Sequence, residues 1–132
     1  MNDREIRQLL ETSKTIAVVG LSDKPDRDSY RVAEYLQRQG YRIIPVNPTV
    51  DAVLGEKSYA SVSDIPASVD IVDIFRRSDA VEPVVEDAIA AGARAVWMQL
   101  GIENEEAAQA AEAAGLQVVM DRCIKIEHAR LM

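Results

Sequence analysis

Five short, predominantly apolar runs punctuate this chain: Thr15 to Val19, Tyr41 to Val46, Asp70 to Phe75, Ala95 to Leu100 and Leu116 to Met120. Each is too short for a helix, and the first is β-branched enough to favour the pleat, so each reads as a strand. Their apolar residues follow one another instead of alternating with polar ones. A strand of that kind is buried on both faces, as in a parallel sheet covered by helices on both sides. The segments between the runs supply such helices. Val32, Tyr35 and Leu36 recur at helical spacing up to Gly40, and Val81, Val84, Val85, Ala88 and Ile89 do so up to Gly92. Asn104 heads an alanine-rich run that stops at Gly115. Asparagine caps the free amides of a helix start, and glycine accepts the left-handed backbone on which helices often end.

Parallel neighbours require right-handed crossovers. The expectation is an α/β, doubly wound, Rossmann-like sheet of about five parallel strands with helices on both faces, formed as a single domain over residues 1–132. Ahead of it, Ile6, Leu9 and Leu10 form one stripe of a short helix over Asp3 to Ser13, expected as a lid on one sheet edge. Pro45-Val46-Asn47-Pro48 ends the second strand, because proline lacks the amide hydrogen of a central ladder. An irregular stretch follows, with a turn at Ser63-Asp64-Ile65-Pro66. Asp121 to Met132 is a tail too short for a domain.

With 22 acidic against 15 basic residues the net charge is -7, which excludes a broad attraction to nucleic acid or anionic lipid. Any phosphate site must be local. No apolar run nears the ~20 residues of a membrane span. Met1-Asn2-Asp3-Arg4-Glu5 leads into mixed charge, unlike a signal peptide. One cysteine allows no internal disulfide, so a reducing, cytoplasmic compartment is expected.

In a doubly wound sheet the ligand lies beyond the carboxyl ends of the strands, where strand order reverses. The first strand runs into Gly20-Leu21-Ser22-Asp23-Lys24-Pro25-Asp26-Arg27-Asp28-Ser29-Tyr30. A glycine for a tight turn, a serine hydroxyl and the start of a helix make a phosphate cradle, or else only a polar connecting loop. A dinucleotide site would carry Gly-x-Gly-x-x-Gly here and an acidic residue after the second strand. Ser22 and Pro25 replace the later glycines, and Asn47 stands where a carboxylate would hold a ribose. A ribose bearing a phosphate is easier to accommodate without that charge.

The third strand ends in Phe75-Arg76-Arg77-Ser78. Two guanidinium groups there match phosphate geometry, although Arg77 is equally read as a solvated helix start. Cations at a helix N-terminus oppose its dipole, which points to another benefit. With Lys24, Arg27 and Arg31 they could gather around a polyphosphate. Gln99, after the fourth strand, both donates and accepts, and Trp97 reads as core. Cys123 is either inert packing or the partner of a mixed disulfide with a thiol ligand. One histidine, His128, and one cysteine support neither a metal site nor a nucleophile-base pair.

Val19-Gly20-Leu21-Ser22 through Pro25, Arg27, Ser29 and Tyr30, then Gly40 to Pro48, Gly55 to Tyr59, Asp70 to Arg77, Trp97 to Gly101 and Asp121-Arg122-Cys123, form an ordered set over nearly the whole chain. That set resembles the small stand-alone bacterial CoA-binding proteins. The family is similar to the N-terminal CoA-binding domain of the succinyl-CoA synthetase α subunit and of NDP-forming acyl-CoA synthetases, whose catalytic phosphohistidine lies in a further domain. His128 does not match that histidine's context. The resemblance implies CoA contacts from Gly20, Leu21 and Ser22 in the first loop, Pro45, Val46 and Asn47 after the second strand, Phe75 and Arg76 after the third, and Gln99 after the fourth. Lys24, Arg27 and Tyr30 join them from the first loop.

The expected function is non-catalytic binding of coenzyme A or an acyl-CoA, with neither nucleic acid nor membrane as partner. The alternatives are a CoA-binding component of a multi-chain acyl-CoA synthetase, which needs a second protein, and an NAD(P)-type nucleotide sensor.

Overall fold

The computed structural model describes residues 1–132. In chain order the elements are α1 (Asp3–Thr12), β1 (Thr15–Val19), α2 (Asp28–Arg38), β2 (Arg42–Val46), β3 (Ala52–Val53), β4 (Glu56–Lys57), β5 (Ile71–Ile74), α3 (Val81–Ala90), β6 (Ala95–Met98), α4 (Glu105–Ala113), β7 (Gln117–Val119) and α5 (Ile124–Leu131). Five strands form one sheet in the order β2-β1-β5-β6-β7, with every neighbouring pair parallel. The expected doubly wound α/β sheet is therefore the observed one. No helix is long and apolar enough to cross a membrane.

Successive strand residues point to opposite faces, and the two faces build two cores. On one, Ile16, Val18, Ile43, Ile71, Trp97 and Val119 pack under α1, α2 and α5 through Ile6, Leu9, Leu10, Val32, Leu36 and Ile124. On the other, Ala17, Val19, Val46, Val72, Ile74, Val96 and Met98 pack under α3 and α4 through Val81, Val85, Ala88, Ala107, Ala108 and Ala111. The small residues of α4 let that helix approach the sheet closely. Its start is capped as expected, with the Asn104 side chain accepting from the Ala107 amide at 3.0 Å.

Two expectations need correction. Helix α1 covers a sheet face and not an edge: Ile6, Leu9 and Leu10 are buried in the core that Ile16, Val18, Ile71 and Trp97 build on one face. The tail after Asp121, read as too short for a domain, carries α5, which completes the cover of that face. The stretch after Pro48 holds the antiparallel β3–β4 pair, and a 3-10 turn at Val62–Asp64 stands where a simple turn was expected.

Helix α5 is tied down by polar contacts. Arg130 donates to both Asp3 carboxylate oxygens, at 2.9 and 2.8 Å, joining α5 to α1. That hydrogen bonding holds the Asp3 carboxyl below its usual range. The Tyr35 hydroxyl of α2 lies 2.8 Å from His128 Nδ1, and the imidazole meets Tyr35 and Tyr41 edge-on. Burial lowers the His128 pKa, so its neutral form is the one that packs here.

Candidate functional site at the strand ends

The chain leaves β1 to build β2 on one side and then β5 on the other, so strand order reverses between β1 and β5. The loops after these two strands meet there. Gly20 adopts φ +86°, its amide donates to the Val46 carbonyl at 2.9 Å, and a Cβ added to it would overlap the Phe75 carbonyl oxygen. Only glycine lets the two backbones approach this closely.

Beside this contact lies a cavity of about 420 Å³ lined by Gly20, Ser22, Lys24, Arg27, Ser29 and Phe75, together with Asp26 and Asp28. The Ser22 amide donates to Ser29 Oγ at 3.0 Å, and Ser22 Oγ accepts from the Lys24 amide at 3.1 Å, which pins the loop against the start of α2. Arg27, at the N-cap, makes no side-chain capping bond, so no cap covers the first-turn amides of α2. Two bases and two acids nearly cancel across the cavity. The Gly20, Ser22 and Lys24 amides are already paired within the fold, so the uncapped start of α2, rather than the loop amides or net charge, is what this cavity offers to an anion.

A second cavity, of about 460 Å³, adjoins the first, with Phe75 and Asp28 lining both. Its walls are mainly apolar: Val32, Phe75, Leu100, Ile102, Cys123 and Ile126, with Arg31 and Lys125 at its margin. Leu100 and Ile126 are 65% and 55% exposed, a large apolar area to leave in water at a concave surface. Gln99 also lines it, although only 4% of that residue is exposed. Its Oε1 accepts from the Ile124 amide at 3.0 Å, which fixes the carboxamide.

The residues named from sequence divide accordingly. Gly20, Ser22, Lys24, Arg27 and Phe75 come together around the polar cavity, and Gln99 joins Phe75 at the apolar one. Leu21, Tyr30, Pro45, Val46, Asn47 and Arg76 line neither. The Leu21 side chain is fully buried in the core, while Tyr30 packs against that core. Pro45 and Val46 are buried strand residues. Asn47 is a clip, its Nδ2 donating to the Leu21 carbonyl at 2.9 Å and its Oδ1 accepting from Thr49. Arg76 is half-buried and has no acidic partner, whereas exposed Arg77 pairs with Asp79 at 3.3 Å.

Leu100, Ile102, Lys125 and Ile126 were not among the residues named from sequence. For the last two a signal existed: Ile124, Glu127, His128 and Leu131 have helical spacing. Two of those inward positions are polar, which hides the stripe that would have revealed α5.

An uncharacterised protein of Bacillus subtilis (strain 168), YneT, is 49% identical over 125 residues, covering 95% of this chain and 93% of that protein. The structure of a hypothetical protein from Pyrococcus horikoshii OT3 superposes with a TM-score of 0.96 at 45% identity, over 99% of this chain and 92% of that one. The α subunit of ADP-forming acetate–CoA ligase II from Pyrococcus furiosus is 30% identical over 129 residues, which is 88% of this chain and only 28% of the subunit. The likeness to the ligase is thus confined to about a quarter of its subunit. The model of a family described as a CoA binding domain matches residues 14–129, nearly the whole of the sheet and its helices, and the chain belongs to that family.

Proposed function

We propose that this chain binds coenzyme A or an acyl-CoA across the β1–β5 switch point, in the cytoplasm and without catalysing a reaction on it. The observation that carries the reading is the joined pair of cavities, one polar at the start of α2 and one apolar beside α5, with Phe75 between them. CoA has the same two-part character: a nucleotide rich in phosphate, and a long, weakly polar arm ending in a thiol. In this reading the Gly20–Ser22 loop and the α2 amides hold the pyrophosphate. Arg76, free of acidic partners, takes a phosphate oxygen. The end of β2 at Pro45–Asn47 and Phe75 border the adenosine, and the arm passes Gln99 along the apolar groove. His128 lies outside both cavities with Tyr35 on its Nδ1, which supports binding rather than histidine-based chemistry at this place.

Thermal unfolding with CoA, dephospho-CoA, NAD and NADP in parallel tests the reading. A ligand at ~100 times its dissociation constant adds ~2.7 kcal/mol to stability. CoA is expected to raise the unfolding temperature, dephospho-CoA to raise it less, and the nicotinamide nucleotides to leave it unchanged. A shift with NAD or NADP and none with CoA would restore the nucleotide-sensor reading. Arg76→Ala should weaken CoA binding by about 1–3 kcal/mol, as loss of a charge-assisted hydrogen bond does. Arg77→Ala, whose guanidinium already has Asp79, should leave the affinity unchanged in the same titration.

The likeness to part of a ligase subunit favours one second reading, a CoA-binding component that works with another chain. That reading requires a partner carrying the nucleotide-activating chemistry. Affinity capture that recovers no such protein would count against it.

A further inference from the structure

Cys123 is the residue before α5, half-buried, at the wall of the apolar cavity. A cysteine alone in such a place is ordinary packing, but Gln99 gives this one a different setting. The Gln99 residue is 96% buried by its 4% exposure, and its Oε1 is taken by the amide of Ile124, the neighbour of Cys123. Its Nε2 has no protein acceptor, yet it is not among the buried polar atoms sealed from solvent, which are the two Asp73 oxygens. The unused donor is therefore not sealed, and Gln99 lines the same cavity as Cys123. A buried amide N–H without an acceptor is unfavourable unless water or a ligand supplies one. A pantetheine-type arm carries amide carbonyls along its length and a thiol at its end. An arm whose carbonyl meets Gln99 Nε2 brings its sulfur to the wall that holds Cys123.

We propose that Cys123 captures the thiol of a CoA-type ligand as a mixed disulfide; this rests on the CoA-binding reading above. The incoming species is the disulfide form of the ligand. The Cys123 thiolate attacks one sulfur of that disulfide, the Cys123–ligand S–S bond forms, and the original S–S bond breaks. The departing half leaves as a thiolate and takes up the proton that Cys123 released. The protein thiol is oxidised and the departing half is reduced, with no other electron carrier.

The test is intact-mass spectrometry of the full chain after timed exposure to CoA disulfide or to oxidised glutathione, with unfolding followed separately in reductant with reduced CoA. The expected result is a gain of one CoA moiety, at a rate on the order of tenfold or more above that of glutathione labelling, since binding places the sulfurs together. Adenosine 3′,5′-bisphosphate should slow the CoA reaction and not the glutathione one, and Cys123→Ser should gain nothing. If reduced CoA stabilises the protein but CoA disulfide labels Cys123 no faster than glutathione does, capture is overturned and CoA binding stands. If reduced CoA gives no stabilisation and the two labelling rates are equal, both readings fall.

Discussion

The Gly20→Ala protein is expected to unfold at a markedly lower temperature and to lose CoA-dependent stabilisation. Two effects add at this position. A non-glycine residue held at φ +86° carries strain of about 1–3 kcal/mol. The new Cβ would also overlap the Phe75 carbonyl oxygen, a backbone atom at the end of β5 that cannot swing aside as a side chain does. Either the first loop must lift or β5 must shift, and both supply the polar cavity. A loss of about 3 kcal/mol or more is expected, on the order of 10 °C for a chain of this size. Gly115→Ala separates the two effects. Gly115 has φ +89°, but nothing lies within 4 Å of the Cβ it lacks, so strain alone should remain and CoA binding should be unaffected. Equal unfolding temperatures for the two variants would mean that the loops do not touch as described.

The sheet was legible because both its strands and its first face-to-face layers obey simple periodicities. All five strands were located to within two residues, and Gly40, Gly92 and Gly115 marked the ends of α2, α3 and α4. What could not be read locally was the work of residues whose roles come from distant neighbours. Glu127 and His128 are 7% exposed and polar, and they sit inward because Arg122, Arg130 and Tyr35 meet them there. No pattern in the stretch itself reports those partners. The same limit divides the site. Gly20, Ser22, Lys24 and Arg27 lie on one continuous loop, so position after β1 was enough to place them together. The apolar cavity is assembled from α2, the ends of β5 and β6, and α5, and an unrecognised α5 left it without a wall. Asn47 shows the converse. Its position after β2 is enough to suggest a ligand contact, but not that its side chain also closes the first loop onto the turn after β2 and so shapes the cradle.

Replacing Asp73 is expected to stabilise the protein near neutral pH. Asp73 lies in β5 between Val18 of β1 and Trp97 of β6, on the sheet face covered by α1, α2 and α5. It is wholly buried, and neither carboxylate oxygen has a hydrogen-bond partner. Burial alone raises its pKa well above the ordinary carboxylate value, with no neighbouring charge contributing. Between that ordinary value and the raised one, the unfolded chain has released the proton while the folded chain retains it. Stability from this residue is therefore greatest in acid and falls as pH rises, by up to about 1.4 kcal/mol per pH unit. His128 has the opposite sign: its lowered pKa makes the unfolded chain the better proton binder, so its contribution is lost as pH falls below the ordinary histidine range. Comparing wild type with Asp73→Asn across pH 4 to 8 cancels the histidine term. The asparagine variant keeps the size and an unsatisfied polar group, so it should lose the alkaline decline without gaining stability in acid. Asp73→Val removes the polar group as well and should gain about 1–3 kcal/mol at pH 7, the cost of an unsatisfied buried group. Parallel pH profiles for wild type and Asp73→Asn would show that Asp73 keeps the same proton affinity folded and unfolded, which its sealed position between Val18 and Trp97 forbids.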